Sequence, residues 1–169
     1  RAAEIAPVHP AGWRNLGDTL QAQHRFDDAV SAYQRGLDAN PETPELLNNI
    51  GAAYWNMGSL DQALSCFERA VKAAPQFSAA RKNLSTTQSA IGLMDEAIAG
   101  YRDILQREPE NEHASRLLLS ALLYAPSTAS TLFEAHLDFA HRFGSGGRSA
   151  PEWKVSVRPD RKLRIGYVS

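Results

Sequence analysis

The 169-residue sequence has one cysteine, no long apolar run and almost no net charge. The single cysteine, Cys66, cannot form an intramolecular disulfide, and its place beside Leu64 and Phe67 in a helical pattern favours a small buried hydrophobe over a reactive thiol. No run of about eighteen apolar residues occurs, so we expect no membrane-spanning helix. The formal net charge of -1 provides no basic field for nucleic acid or an anionic membrane. We therefore expect a cytoplasmic protein whose partners are neither nucleic acid nor membrane.

Motifs that would indicate catalysis or a metal site are also missing. His136 and His141 are five residues apart, whereas two metal ligands on one helix face must be three or four residues apart. No HExxH motif occurs either. The GSGGR segment at 144–148 lacks the lysine and hydroxyl residue that end a phosphate-binding loop. The sequence predicts no catalytic residue, no cofactor and no metal ligand in this chain.

What the sequence does contain is a repeat. Four prolines, each thirty-four residues after the last, mark it: Pro7, Pro41, Pro75 and Pro109. Small residues recur in the same register, where they let two helices approach closely: Gly17, Gly51 and Ser85, with Ala29, Ala63 and Ala97. A period of thirty-four residues resembles the tetratricopeptide repeat (TPR). The resemblance implies an all-α, right-handed superhelical solenoid of antiparallel helix pairs.

The turn inside each unit has its own pattern. Gly58 and Gly92 suit the left-handed exit of a first helix, and His24 takes their place in the first unit. An aspartate follows each of these turns and is predicted to be the N-cap of the second helix: Asp27, Asp61 and Asp95. The periodic prolines are predicted to stop the second helices.

The register also predicts the domain organisation. Residues 1–9 are the tail of a preceding unit, 10–43, 44–77 and 78–111 are full repeats, and 112–143 form a degenerate capping helical pair. Residues 144–161 are a linker, and 162–169 form a short isolated β-segment. Because the chain lacks an initiating methionine and ends in an apolar run, we expect a piece of a longer protein. Its truncated ends would uncover residues such as Trp13 and Leu20 and favour self-association.

The first helices of stacked repeats line a concave groove, and one position of that groove holds asparagine in all three full units: Asn15, Asn49 and Asn83. An amide offers donors and an acceptor, so such a column can bind the N–H and C=O groups of an extended peptide. The alternative is that asparagine is a tolerated surface residue. Further candidates for peptide binding on the same face are Arg14, Asn48, Trp55 and Lys82.

The role of Trp55 has two interpretations: an exposed aromatic anchor for a ligand, or a side chain packed between units. One known mode of TPR binding, the dicarboxylate clamp that grips an acidic chaperone C-terminus, is disfavoured. Asp18 stands where the clamp needs asparagine, and Ala79 and Asn83 stand where it needs bases.

The C-terminal part resembles the join between repeats and catalytic domain in protein O-linked N-acetylglucosaminyltransferases and SPINDLY-like proteins. Tyr124, Pro126, Phe133 and His136 match the transition, and KLRIGYVS at 162–169 matches the first catalytic strand. The resemblance implies a parent glycosyltransferase with a nucleotide-sugar donor, whose catalytic residues lie beyond Ser169. This chain would be its non-catalytic arm for binding protein segments. The alternative is a stand-alone TPR scaffold that assembles a protein complex.

Overall fold

A computed structural model of the protein describes residues 10–38, 40–126 and 128–144. Within these ranges the chain forms eight helices: α1 Pro10–Ala22, α2 Phe26–Leu37, α3 Pro44–Asn56, α4 Leu60–Ala73, α5 Ser78–Ala90, α6 Met94–Arg107, α7 Glu112–Tyr124 and α8 Ala129–Phe143. The unit tail expected at 1–9, the strand expected at 162–169 and all but the first residue of the expected linker lie outside the described residues.

The helices pack as four antiparallel pairs stacked along one axis. Each odd-numbered helix contacts its own partner, and the even-numbered helices α2, α4 and α6 then contact the next pair. The odd-numbered helices also contact one another in order, whereas the second helices of the described ranges do not. This asymmetry places α1, α3, α5 and α7 on the inner, concave side. The all-α solenoid of helix pairs expected from the sequence is confirmed.

The core of each full repeat is an aromatic ring held between two helices. Tyr33, Phe67 and Tyr101 are all at most 2% exposed. A Cβ atom added to Gly51 would lie 2.6 Å from Cε1 of Phe67, and one added to Gly17 would overlap the ring of Tyr33. Glycine is therefore required at these crossings because the ring fills the space that a side chain would need.

In the third unit the two helices also cross closely, but the glycine lies on the other helix. Ser85 replaces the glycine of the first helix, and a glycine appears instead on the second helix at Gly100, where an added Cβ would collide with the Ser85 hydroxyl. Ser85 is 2% exposed, and its hydroxyl donates to the Arg81 carbonyl. The expectation of small residues at the helix crossings is confirmed, with the small position shared between the two helices.

The turn between the helices of each unit has the predicted backbone. His24, Gly58 and Gly92 adopt φ of 59°, 76° and 87°, so all three are left-handed. Gly58 and Gly92 have no atom within 4 Å of an added Cβ. Backbone conformation, and not lack of space, is what selects glycine at these two positions.

The prediction of aspartate N-caps was wrong. The N-cap residues of α2, α4 and α6 are Arg25, Ser59 and Leu93, and none of them makes a side-chain capping bond. Each left-handed residue reverses the chain so quickly that the next helix begins two residues later, and the aspartate becomes its second residue. There Asp27, Asp61 and Asp95 place negative charge in the first turn, which the helix dipole favours.

The two ends of the array differ from the expectation in one respect. Leu20 is buried at 8% exposure because it packs into the cluster that contains Ala29 and Tyr33, so the expectation that it is uncovered was wrong. Leu16 of the same helix is 41% exposed. At the other end, α8 has no fully buried residue, and its Phe133 is 63% exposed.

Replacing Gly51 by alanine should destabilise the protein, because the new methyl group collides with the Phe67 ring. Overpacking of this kind costs about 1–3 kcal/mol, although alanine recovers up to about 1 kcal/mol in helix propensity. We expect a net loss of about 1–2 kcal/mol in the free energy of unfolding, measured by urea denaturation. A Gly51→Ala/Phe67→Leu double variant should lose less than the sum of the single changes. Strict additivity would show that the ring does not select the glycine.

Candidate functional site

The three asparagines of the repeat register lie on α1, α3 and α5. Asn49 Nδ2 donates to Asp18 Oδ1 at 3.0 Å, and Asn83 Nδ2 donates to Asn48 Oδ1 at 2.9 Å. Each of these amides therefore bridges to the preceding first helix. Asn15 is exposed, and its side chain makes no hydrogen bond with a described residue. The amides of Asn49 and Asn83 thus brace neighbouring repeats, and their carbonyl oxygens are left as acceptors.

One cavity of the groove, the Asp18 cavity, has a volume of about 350 Å³. It is lined by Asp18, Gln21, Ala22, His24, Phe26, Tyr33, Asn49 and Asn56. The Tyr33 hydroxyl donates to Asp18 Oδ1 at 2.7 Å and lies 3.3 Å from Gln21 Oε1. Burial, reinforced by the Asp18 carboxylate, raises the pKa of Tyr33 well above its ordinary value. The carboxylate is thus fixed in place by bonds from α2 and α3.

A second cavity, the Lys82 cavity, has a volume of about 270 Å³. It is lined by Ala52, Trp55, Asn56, Phe67, Lys82, Asn83, Thr86 and His113. Asn56 lines both cavities, so the two are neighbours along the groove. Trp55 is half-buried and forms part of the wall. It is therefore neither a fully exposed anchor nor a fully packed core residue.

The residues predicted to bind peptide do not all meet at one point. Trp55, Lys82 and Asn83 line the Lys82 cavity, and Asn49 lines the neighbouring one. Asn48 is 9% exposed and holds Asn83, so its amide is part of the packing between α3 and α5. Arg14 is exposed on α1 and lines neither cavity.

The sequence predictions considered Asp18 only against the dicarboxylate clamp, and they did not include Ala52 or Thr86 among the peptide-binding residues, although all three share one position of the repeat. Asp18, Ala52 and Thr86 are thirty-four residues apart, and all three line the cavities. Asn56 and His113 also escaped notice. The fixed interval from the asparagines would have found the position shared by Asp18 and Thr86, whereas His113 reaches the Lys82 cavity from the following helix pair.

Other candidate groups lie apart from these cavities. Cys66 is half-buried against the first core cluster, and burial raises the pKa of its thiol. His136 and His141 are exposed on α8. Across residues 10–38, 40–126 and 128–144, no three His, Cys, Asp or Glu side chains are grouped so that they could hold a metal ion. In the same ranges, no helix has the length and apolar character that crossing a membrane requires.

Comparison with known protein families identifies the repeat. One tetratricopeptide repeat model matches residues 14–76, and a second matches residues 54–122. The chain belongs to the tetratricopeptide repeat family. The two matches together cover α2 to α6 completely and most of α1 and α7, whereas α8 lies beyond them.

A curated relative is the cytochrome c-type biogenesis protein CycH of Bradyrhizobium diazoefficiens. It is 40% identical to this chain over 50 residues, a stretch that covers 30% of this chain and 14% of CycH. The chain thus matches a small part of that relative, and the match lends support to a repeat and not to a whole-protein activity.

Solved TPR structures have the same fold. The first TPR domain of Spaghetti (RPAP3), solved bound to the HSP90 peptide SRMEEVD, is 25% identical, with a TM-score of 0.67 over 70% of this chain and 94% of that chain. MamA is 17% identical, with a TM-score of 0.69 over 80% and 77% of the two chains. A MamA RS-1 ArsTM double mutant is 18% identical, with a TM-score of 0.73 over 80% and 75%.

Replacing Tyr33 by phenylalanine should remove the hydroxyl that fixes Asp18. A hydrogen bond to a charged group contributes about 1.5–3 kcal/mol, so we expect a loss of that order in the free energy of unfolding near neutral pH. Because the pKa of Tyr33 is raised in the folded state, its contribution is complete below its ordinary pKa of 10.0 and is lost as the pH rises toward the folded pKa.

Urea denaturation at about pH 7 and about pH 11 measures this contribution, since the two values bracket the ordinary tyrosine pKa. The wild-type protein should lose stability between them, and the Tyr33→Phe variant should lose less. The matched control is Tyr124→Phe, because Tyr124 is 77% exposed. Equal pH dependence in wild type and Tyr33→Phe would contradict the assignment.

Proposed function

We propose that the groove formed by α1, α3, α5 and α7 binds extended polypeptide segments. The observation that carries the proposal is the position of Asn49 and Asn83, which border neighbouring cavities with amide carbonyl oxygens not used in their bonds to Asp18 and Asn48. A peptide in extended conformation has unpaired backbone N–H groups that need such acceptors. The groove would hold the backbone and leave the side-chain sequence largely unread.

A peptide ligand is also consistent with the solved neighbours. The TPR domain of Spaghetti, which is similar to this chain over most of its own length, was solved with a seven-residue peptide. TPR modules act in protein–protein interaction and are usually non-catalytic. Both facts favour a peptide or protein ligand here, without identifying it.

We further propose that the chain is the substrate-recognition arm of an O-GlcNAc-transferase-like glycosyltransferase. Two residues that carry the sequence resemblance, Tyr124 and Phe133, are 77% and 63% exposed at the join of α7 and α8. Large aromatic side chains at such exposure add little to the stability of the repeat array itself. A following domain that covers them would explain their presence.

The second candidate is a stand-alone TPR scaffold, and the observation that favours it is the Lys82 cavity. Trp55 forms part of its wall, and a cavity with an aromatic wall suits recognition of a partner's side chain. Under this alternative, binding would depend on Trp55 more than on the asparagines. It also requires no catalytic domain after Ser169.

Converting Asn15, Asn49 and Asn83 to alanine together should weaken binding of a selected peptide. Each lost hydrogen bond costs about 1 kcal/mol, so each asparagine in use should account for about a fivefold loss of affinity. Fluorescence anisotropy with a labelled peptide from a displayed twelve-residue library would measure the dissociation constant. Unchanged affinity in the triple variant would overturn the role of the asparagines.

The controls separate binding from stability, because two of these asparagines also brace the array. Asn15→Ala alone removes an exposed amide that has no described partner, so any loss of affinity is a ligand effect. Gln62→Ala removes an exposed amide from the second helix α4 and should leave affinity unchanged. A Trp55→Ala loss that exceeds the triple asparagine loss would favour the scaffold.

The transferase assignment has its own test. The full gene product is incubated with UDP-N-acetylglucosamine and a selected peptide that contains serine, and the intact peptide mass is measured. A mass increase of one N-acetylhexosamine, in a smaller fraction of peptide when the three asparagines are replaced, would support the role of this chain as the substrate-recognition arm. A gene that ends at residue 169, or full-length protein that binds the peptide without modifying it, would favour the scaffold.

A further inference from the structure

The Lys82 cavity contains a cation that has no counter-ion among the described residues. Several arginines of the array form ion pairs with described carboxylates: Arg25, Arg69, Arg81, Arg107, Arg116 and Arg142. Lys82 forms no ion pair with a carboxylate in the described part of the chain, although its side chain is partly buried. A carboxylate brought from outside the chain to this ammonium group would form a charge-assisted hydrogen bond.

The rest of the cavity matches such a group. None of its lining residues carries a carboxylate, and His113 on α7 faces the same space. Asn83 donates from Nδ2 to Asn48, and its second N–H can serve an incoming oxygen. Ala52, Trp55 and Phe67 supply apolar surface against which the methylene groups of a side chain can pack.

The neighbouring cavity has the opposite charge, and this fixes where an acidic residue can lie. Asp18 lines that cavity, and its carboxylate is held by Tyr33 and Asn49. A second carboxylate placed there would be repelled. An acidic side chain of a peptide in the groove would therefore be attracted to the Lys82 cavity and repelled from the Asp18 cavity.

We propose that the Lys82 cavity is a specificity pocket for an acidic side chain, glutamate or aspartate, within an extended polypeptide bound in the groove. This inference rests on the proposed function, and it adds side-chain selection to a groove that otherwise binds backbone. Lys82 and the second N–H of Asn83 bind the carboxylate, while Trp55 packs against its methylene groups. The acidic residue lies inside the chain, so the pocket needs no free C-terminus.

The test is selection of a displayed library of random twelve-residue peptides on the whole 169-residue protein. The wild type should enrich peptides with Asp or Glu at one position, and Lys82→Glu should enrich Lys or Arg there instead. Lys72→Glu makes the same charge change at an exposed site on the second helix α4 and should select like the wild type. Thermal melting by circular dichroism checks that each variant is folded.

Dissociation constants of a selected peptide and its Glu→Gln counterpart then measure the contribution of the Lys82 cavity separately from the rest of the groove. A selected peptide should bind the wild type about fivefold to tenfold more tightly than its Glu→Gln counterpart, because a charge-assisted hydrogen bond is lost. The neutral variant Lys82→Gln should remove this difference while keeping affinity for the Gln peptide.

The two failures are distinguishable. Enriched peptides without an acidic position, or acidic enrichment that persists in Lys82→Glu, would overturn the pocket and leave the peptide-binding groove standing. No enrichment on any variant would overturn the proposed function, and the pocket with it.

Discussion

The close approach of two helices over one aromatic ring is the constraint on which the rest of this structure depends. Tyr33 and Phe67 fill the crossings so completely that the facing residue must be glycine. Because the same close crossing recurs in the first two units, equivalent positions of their first helices face the same side of the array. The groove and its column of asparagines are consequences of that alignment.

Much of the fold could be predicted from the sequence because the signals were local or periodic. The left-handed turns at Gly58 and Gly92 follow from the conformational freedom of glycine. The stops near the periodic prolines follow from the missing backbone donor. Helix starts were harder: Asp61 is a good N-cap by type, but the preceding turn places Ser59 there instead. A residue's preference for a cap is weaker than the geometry of the turn that precedes it.

The site was less predictable, since it depends on contacts between repeats. The register placed Asn49 and Asn83 on the groove side, but it could not show that their amides are shared with Asp18 and Asn48. Such bonds join side chains 31 and 35 residues apart, and no local pattern encodes them. The pairing also gives these asparagines a structural role. If they bind a peptide as proposed, the rigidity of the groove would be coupled to its occupancy.

In the third unit the glycine at the helix crossing has moved from the first helix to the second, and this has a consequence for how such an array can evolve. In the first two units the first helix supplies the glycine, whereas in the third the second helix does. A third-unit first helix is therefore matched to its own partner, and recombination that joined it to the Phe67 helix would place the Ser85 side chain where the ring lies. The repeats share a length and a register without being interchangeable modules. Duplication of this protein would have to preserve whole helix pairs.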